Sequence, residues 1–128
     1  YGCLGFGDCV KVCPFDAMKM EKGLPRIIKD KCVACGKCAL ACPRNIISID
    51  EIHGEDFIYV ACNNTEKGAD TRKACKVGCI ACGICQRMTD GIFYVETNLA
   101  HVKYNDMPRL QATGEVISKC PTKCIVKL

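Results

Sequence analysis

The run Cys32-Val33-Ala34-Cys35-Gly36-Lys37-Cys38-Ala39-Leu40-Ala41-Cys42-Pro43 carries the spacing C-x2-C-x2-C-x3-C-P, a pattern that ligates iron-sulfur clusters through cysteine thiolates. Three thiolates at i, i+3 and i+6 on a tight loop converge on one side. The x3 step places the fourth at the start of the next element, and Pro43 then breaks the chain. In two-cluster proteins the fourth thiolate of such a run serves the other cluster. Disulfides fit this spacing poorly, because cysteines two residues apart in a tight loop rarely reach the Cα separation a bridge needs. Zinc sites typically come as separated C-x2-C pairs, and a third cysteine followed by x3-Cys-Pro is not their pattern.

Composition agrees with the motif. The chain has 128 residues and 14 cysteines, and its 49% hydrophobic fraction counts those cysteines. With no Trp and 6% aromatic residues, a small unit buries little area and needs a staple, which metal clusters can supply. No stretch reaches the roughly 18 to 20 apolar residues of a membrane span, and Tyr1-Gly2-Cys3 has no secretory pattern, so the sequence as it stands reads as soluble. The formal charge of +4 leaves out any cluster, which carries about −2 with its four thiolates. Three clusters bring the total to roughly −2, so lysines such as Lys29, Lys31 and Lys37 offset cluster charge. No basic stripe interleaved with aromatics indicates nucleic acid.

An internal repeat assigns the ligands. Cys3 and Cys9 lie over Cys79 and Cys85, 76 residues on, and Cys42-Pro43 lies over Cys120-Pro121, 78 residues on. In this alignment Cys13, Cys32, Cys35 and Cys38 fall opposite Thr89, Met107, Leu110 and Thr113, so one whole set is lost. Cys3, Cys9 and Cys42 fall opposite retained cysteines. The partition supports crossed wiring: Cys13 with Cys32, Cys35 and Cys38 for one cluster, Cys3 and Cys9 with Cys42 for another, and Cys79, Cys82 and Cys85 closed by Cys120 for a third. Phe6 stands where Cys82 would be. The first cluster is therefore either 3Fe-4S on three thiolates or 4Fe-4S with a ligand from elsewhere. Cys75 maps two residues before Tyr1, so a Cys upstream of Tyr1 would complete the set, and the chain would then be a fragment. Cys75 also competes with Cys82 in the third set, which spacing favours for Cys82. Cys62 and Cys124 read as small buried hydrophobes. The cofactor expectation is three iron-sulfur clusters, two or three of them 4Fe-4S.

Between the cysteines, 17–21 and 26–29 read as a hairpin around Lys22-Gly23-Leu24-Pro25, and 92–96 with 100–104 repeat it around Thr97-Asn98. Residues 46–52 and 56–60 are expected to form a further pair. Helical turns are expected at 37–41, with longer helices at 65–75 and 109–119. The fold class is α+β: tandem bacterial-type modules of the two-cluster kind, with small hairpins and short helices around clusters. The expected division is 1–55 with two clusters, a linker strand and helix at 56–75, and a degenerate module at 76–128 with one cluster. Gly5, Gly7, Gly36 and Gly83 suit tight loops. Gly5-x-Gly7 is no dinucleotide loop, since no strand precedes it. His53 and His101 are isolated, and no catalytic triad, carboxylate pair or phosphate loop is present.

The run Tyr1-Gly-Cys-Leu-Gly-Phe-Gly-Asp-Cys9-Val-Lys-Val-Cys13-Pro-Phe-Asp-Ala17, with five residues between Cys3 and Cys9, resembles the ferredoxin region of the B subunit of the Rnf complex. So does Cys62-Asn-Asn-Thr-Glu-Lys-Gly68, leading into Lys73-Ala-Cys75-Lys-Val-Gly-Cys79-Ile-Ala-Cys82-Gly-Ile-Cys85. The resemblance covers nearly the whole chain. It implies an electron-transfer subunit of a membrane complex that couples electron flow between reduced ferredoxin and NAD to ion pumping, with no catalytic site of its own. It further implies a cytoplasmic location at the inner face of the membrane, and soluble ferredoxin and other complex subunits as partners. Membrane contact would come through the complex or through an anchor outside this sequence. The family's membrane anchor and additional iron-sulfur domain are not in this stretch, and the resemblance too predicts a Cys just before Tyr1. Met107, Leu110 and Thr113 replace the family's fourth motif, with about three extra residues before Cys120. Two other functions compete: a free polyferredoxin shuttling electrons between enzymes, and a metal-binding interaction module without redox work.

Overall fold

Hairpin β1–β2 is the centre of the first half. β1 (Met18–Glu21) and β2 (Leu24–Ile27) pair antiparallel with Met18 opposite Ile27 and Glu21 opposite Leu24. The turn is Lys22-Gly23 alone, at φ 51° and 79°, the left-handed pair whose twist matches two flanking strands. Pro25 therefore lies within β2, tolerated because a two-stranded ribbon leaves its missing N–H on an open edge.

The computed structural model describes residues 2–50, 57–106 and 114–127. The chain divides into two compact units, 1–50 and 51–128. In the first, α1 (Asp8–Lys11) precedes the hairpin, and a 3-10 turn (Lys29–Lys31) and α2 (Lys37–Ala41) follow it. The second unit repeats this order: α4 (Ile84–Met88), β4 (Phe93–Glu96), β5 (Leu99–Val102), a 3-10 turn (Tyr104–Asp106) and α5 (Glu115–Lys119). Even the bond closing each hairpin recurs: Ile28 N–H to Ala17 O at 2.7 Å, and Lys103 N–H to Ile92 O at 2.9 Å. The β4–β5 turn, Thr97-Asn98, has φ 50° and 60°. Thr is poorly suited to that region, and the Asn98 side chain anchors the turn by donating to Thr65 O at 3.2 Å.

The second unit also contains β3 (Ile58–Val60) and α3 (Gly68–Ala74), a strand and a helix within segment 56–75. β3 pairs antiparallel with the last strand, β6 (Ile125–Lys127), with Ile58 opposite Lys127 and Val60 opposite Ile125. This replaces the expected pairing of 46–52 with 56–60. Residues 46–50 form no strand, and 51–56 lie outside the described residues. The long-range pair wins because Ile58 and Ile125 are each 2% exposed and share a core with Phe57, Ile92, Phe93, Leu99 and Val116. Alternation alone could not choose that partner. Of the two longer helices expected, 65–75 is realised as α3, while the described part of 109–119 is α5 and residues 107–113 lie outside the described ones.

Candidate iron-sulfur clefts

Three cysteine loops share one backbone plan. In Cys32–Cys38, Ala34 and Gly36 have φ 54° and 77°; in Cys79–Cys85, Ala81 and Gly83 have φ 53° and 71°; in Cys3–Cys9, Gly5 and Gly7 have φ 75° and 76°. Left-handed residues two and four places after the first cysteine coil each loop tightly. The second of them precedes α2, α4 or α1, whose second residue is Cys38, Cys85 or Cys9. Phe6 occupies the middle-cysteine position and is 63% exposed. A side chain on Gly5 would lie 2.6 Å from Gly23 O, so this loop fits against the hairpin turn only with glycine there.

A second recurring device holds the remote thiols. After Cys13-Pro14, Cys42-Pro43 and Cys120-Pro121, a left-handed residue (Asp16, Asn45 or Lys123, φ 51° to 53°) turns the chain. The amide four residues after each cysteine then points at its sulfur. Ala17 N–H donates to Cys13 Sγ at 3.4 Å, and the Ile46 and Cys124 amides pull the Cys42 and Cys120 thiols down. Such bonds favour the thiolate, the form that binds metal.

Cys13, Cys32, Cys35 and Cys38 line one cleft of about 390 Å³ with Phe15, Ala17 and Ile27. Cys79, Cys82, Cys85 and Cys120 line another of about 340 Å³, together with Cys124. Cys9 has Cys3 and Cys42 as its charged neighbours. Cys75 does not line the second-unit cleft, although its Sγ lies 3.6 Å from where a Gly78 side chain would begin. Cys62 is half-buried, and its Sγ accepts the Cys79 N–H at 3.2 Å. Cys124 is buried as expected, but it points into the cleft, with Sγ 3.6 Å from Cys120 Sγ. Sequence reading missed this role; its position in Cys120-Pro-x-x-Cys124, four residues after a ligand candidate, was the available signal.

Electrostatics in the clefts favours a cationic occupant. Burial pushes the Cys85 thiol up, and Cys79, Cys82 and Cys120 add like-charge repulsion. Burial pushes Cys9 up too, with Cys3 and Cys42 contributing. Cys42 is held below the ordinary thiol range chiefly by the Ile46 N–H. Burial raises Cys120, but the Cys124 N–H, the Thr122 hydroxyl and the Cys124 thiol outweigh it. A hydrogen bond from Cys124 draws Cys79 down to about 5, and the donor is correspondingly pushed up. Several thiolates crowded against one another are stable only around positive charge, as metal supplies. Cysteine sulfurs dominate the metal-donor atoms lining each cleft, with the Thr122 hydroxyl beside them in the second, which suits iron-sulfur clusters. Among the described residues no three Cys, His, Asp or Glu side chains approach closely enough to hold a single ion.

The lost set has been filled in. The position of Cys13 is taken by Thr89, 3% exposed. Its Oγ1 accepts the Phe93 N–H at 3.0 Å, the same i+4 amide that Cys13 accepts from Ala17, and donates to Cys85 O at 2.7 Å. Met107, Leu110 and Thr113 lie outside the described residues. The bond Ile117 N–H to Gly114 O matches Ala39 N–H to Gly36 O, so α5 corresponds to α2 at a 78-residue shift and Val116 falls at the position of Cys38, although Gly114 at φ −53° lacks the left-handed entry of Gly36 at φ 77°. The alignment with Thr113 thus moves by three residues at this point. Val116 is 1% exposed.

Comparison with known proteins agrees with these clefts. Residues 2–47 match the 4Fe-4S dicluster domain family. Over 98% of its length the chain is 41% identical to the B subunit of the Na(+)-translocating ferredoxin:NAD(+) oxidoreductase complex of Acetobacterium woodii, covering 37% of that protein. It is 43% identical over 98% of its length to the B subunit of the proton-translocating ferredoxin:NAD(+) oxidoreductase complex of Clostridium ljungdahlii, covering 44% of it. Against the B subunit of the ion-translocating oxidoreductase complex of Methanosarcina acetivorans the identity is 36%, again over 98% of this chain and covering 46% of that one. The chain thus spans less than half the length of these relatives. No helix among the described residues is long and apolar enough to cross a membrane.

Proposed function

We propose that this chain, an iron-sulfur electron-transfer relative of the Rnf-type B subunits over nearly its whole length, is the electron-carrying segment of such a subunit, passing electrons from reduced ferredoxin towards NAD. The observation that carries the reading is the gathering of four cysteines in the lining of each cleft, built by the same loop and Cys-Pro turn in both units. Cys13, Cys32, Cys35 and Cys38 hold one 4Fe-4S cluster, and Cys79, Cys82, Cys85 and Cys120 hold another. Cys3, Cys9 and Cys42 hold a third, as 3Fe-4S or with a fourth thiolate from upstream of Tyr1. The first unit is thus a two-cluster module and the second a one-cluster module. When bound, the clusters supply one-electron redox chemistry at potentials set by charge, burial and hydrogen bonds to sulfur. The protein contributes the loops that gather the thiolates and the amides that aim at them.

Its partners in this reading are soluble ferredoxin and other subunits of the complex, at the cytoplasmic face of the membrane. Anaerobic iron and sulfide counting with EPR tests the assignment: three cubanes give about 12 Fe per chain and two cubanes with a 3Fe-4S centre about 11. A colourless protein that stays EPR-silent after dithionite would sink it. For the pathway, reduced ferredoxin must reduce the loaded chain; failure to exchange electrons with it would remove ferredoxin as the donor.

A further inference from the structure

A side-chain hydroxyl and a side-chain thiol stand beside the Cys120 sulfur. Backbone amides serve both: Ile46, Arg44 and Asn45 for Cys42, and Cys124 and Thr122 for Cys120. Side chains serve only Cys120. Thr122 Oγ1 lies 3.7 Å from its sulfur and Cys124 Sγ 3.6 Å. Arg44 and Ile46 stand at the equivalent places in the first unit; the Ile46 side chain carries no polar hydrogen, and Arg44 acts on Cys42 through its charge.

We propose that Thr122 and Cys124 set the reduction potential of the second-unit cluster by donating hydrogen bonds to its ligand sulfurs. This rests on the reading that Cys79, Cys82, Cys85 and Cys120 bind that cluster. A metal-bound thiolate carries no proton, so between Cys120 and either neighbour the neighbour must be the donor. Cys124 Sγ lies 3.6 Å from Cys120 Sγ, so its single proton can face that ligand sulfur. At 4% exposure water does not compete for it. The positive end of each donor stabilises the added electron more than the oxidised cluster, which raises the potential. Both residues are positioning groups and neither binds iron.

An EPR-monitored redox titration of the loaded chain tests this, with iron and sulfide measured for each variant. In Cys124→Ile, the residue the first unit uses, and in Thr122→Val, one potential is expected to fall while the others stay. The ratio of reduced to oxidised cluster at fixed potential should drop about three- to tenfold, the size of one hydrogen bond, which is at most about 59 mV for one electron. Cys124→Ser, which keeps a donor, should restore most of the shift. Unchanged potentials at full iron content in both variants would overturn the proposal. Iron loss from Cys124→Ile would overturn it for Cys124 by making that residue a ligand, and Thr122→Val, which keeps every cysteine, then decides the remainder. If instead Cys82→Ala left the iron count unchanged, the ligand reading beneath the proposal would fail.

Discussion

The first unit carries two sets of cysteines and almost no core; the second carries one set and a core where the other set would be. Among the described residues of the first unit only Cys9, Ala17 and Met18 are buried, while Leu40 is 89% and Val33 58% exposed. In the second unit Phe93, Ile58, Ile125 and Val116 are fully buried around the hairpin. Val116 and Thr89 show the exchange at single positions, one an apolar filler at the place of Cys38, the other a hydroxyl that keeps the amide bond of Cys13. Cluster ligation and apolar packing are alternative solutions to one problem, holding two short hairpin-and-helix halves together.

Iron removal tests this contrast with the largest effect. Chelation under anaerobic reducing conditions is expected to abolish amide protection across β1 and β2, while β4, β5 and the β3–β6 pair stay protected in hydrogen exchange. Simultaneous loss in both units would erase the distinction. Next in size, Cys35→Ala, which leaves three thiolates as at Cys3, Cys9 and Cys42, should cost from about 1 to about 4 of about 12 Fe by chemical analysis, and Cys62→Ala none; iron loss in the latter would add Cys62 to the ligands. Phe93→Ala should destabilise the second unit by about 3–5 kcal/mol in denaturant unfolding, with β1–β2 protection in the loaded chain unchanged. Thr89→Val leaves the Phe93 amide without its acceptor and should cost about 1–3 kcal/mol. A neutral outcome there would mean that the hydroxyl only fills space.

Much of the site was legible in sequence because a cysteine loop is a local object. Cys32 to Cys38 and Cys79 to Cys85 lie within seven residues each, and the left-handed positions at Gly36 and Gly83 follow from residue type. The hairpins were legible for the same reason, although Lys22-Gly23 alone makes the turn and Leu24 and Pro25 belong to the strand. The partner of β3 was not. Ile58 to Val60 could pair with any nearby β-branched run, and only burial beside Phe93 and Ile125 selects β6, more than sixty residues away.

By itself, then, the sequence determined which residues can ligate metal and the repeat that sorts them, since thiolate chemistry and loop spacing are properties of short segments. Tertiary structure alone decided that Val116 takes the place of Cys38, while spacing already favoured Cys82 over Cys75 and carried the signal for Cys124 beside Cys120. The place of Val116 depends on where a distant helix comes to rest, and that is set by the summed burial of the core, which no local spacing encodes.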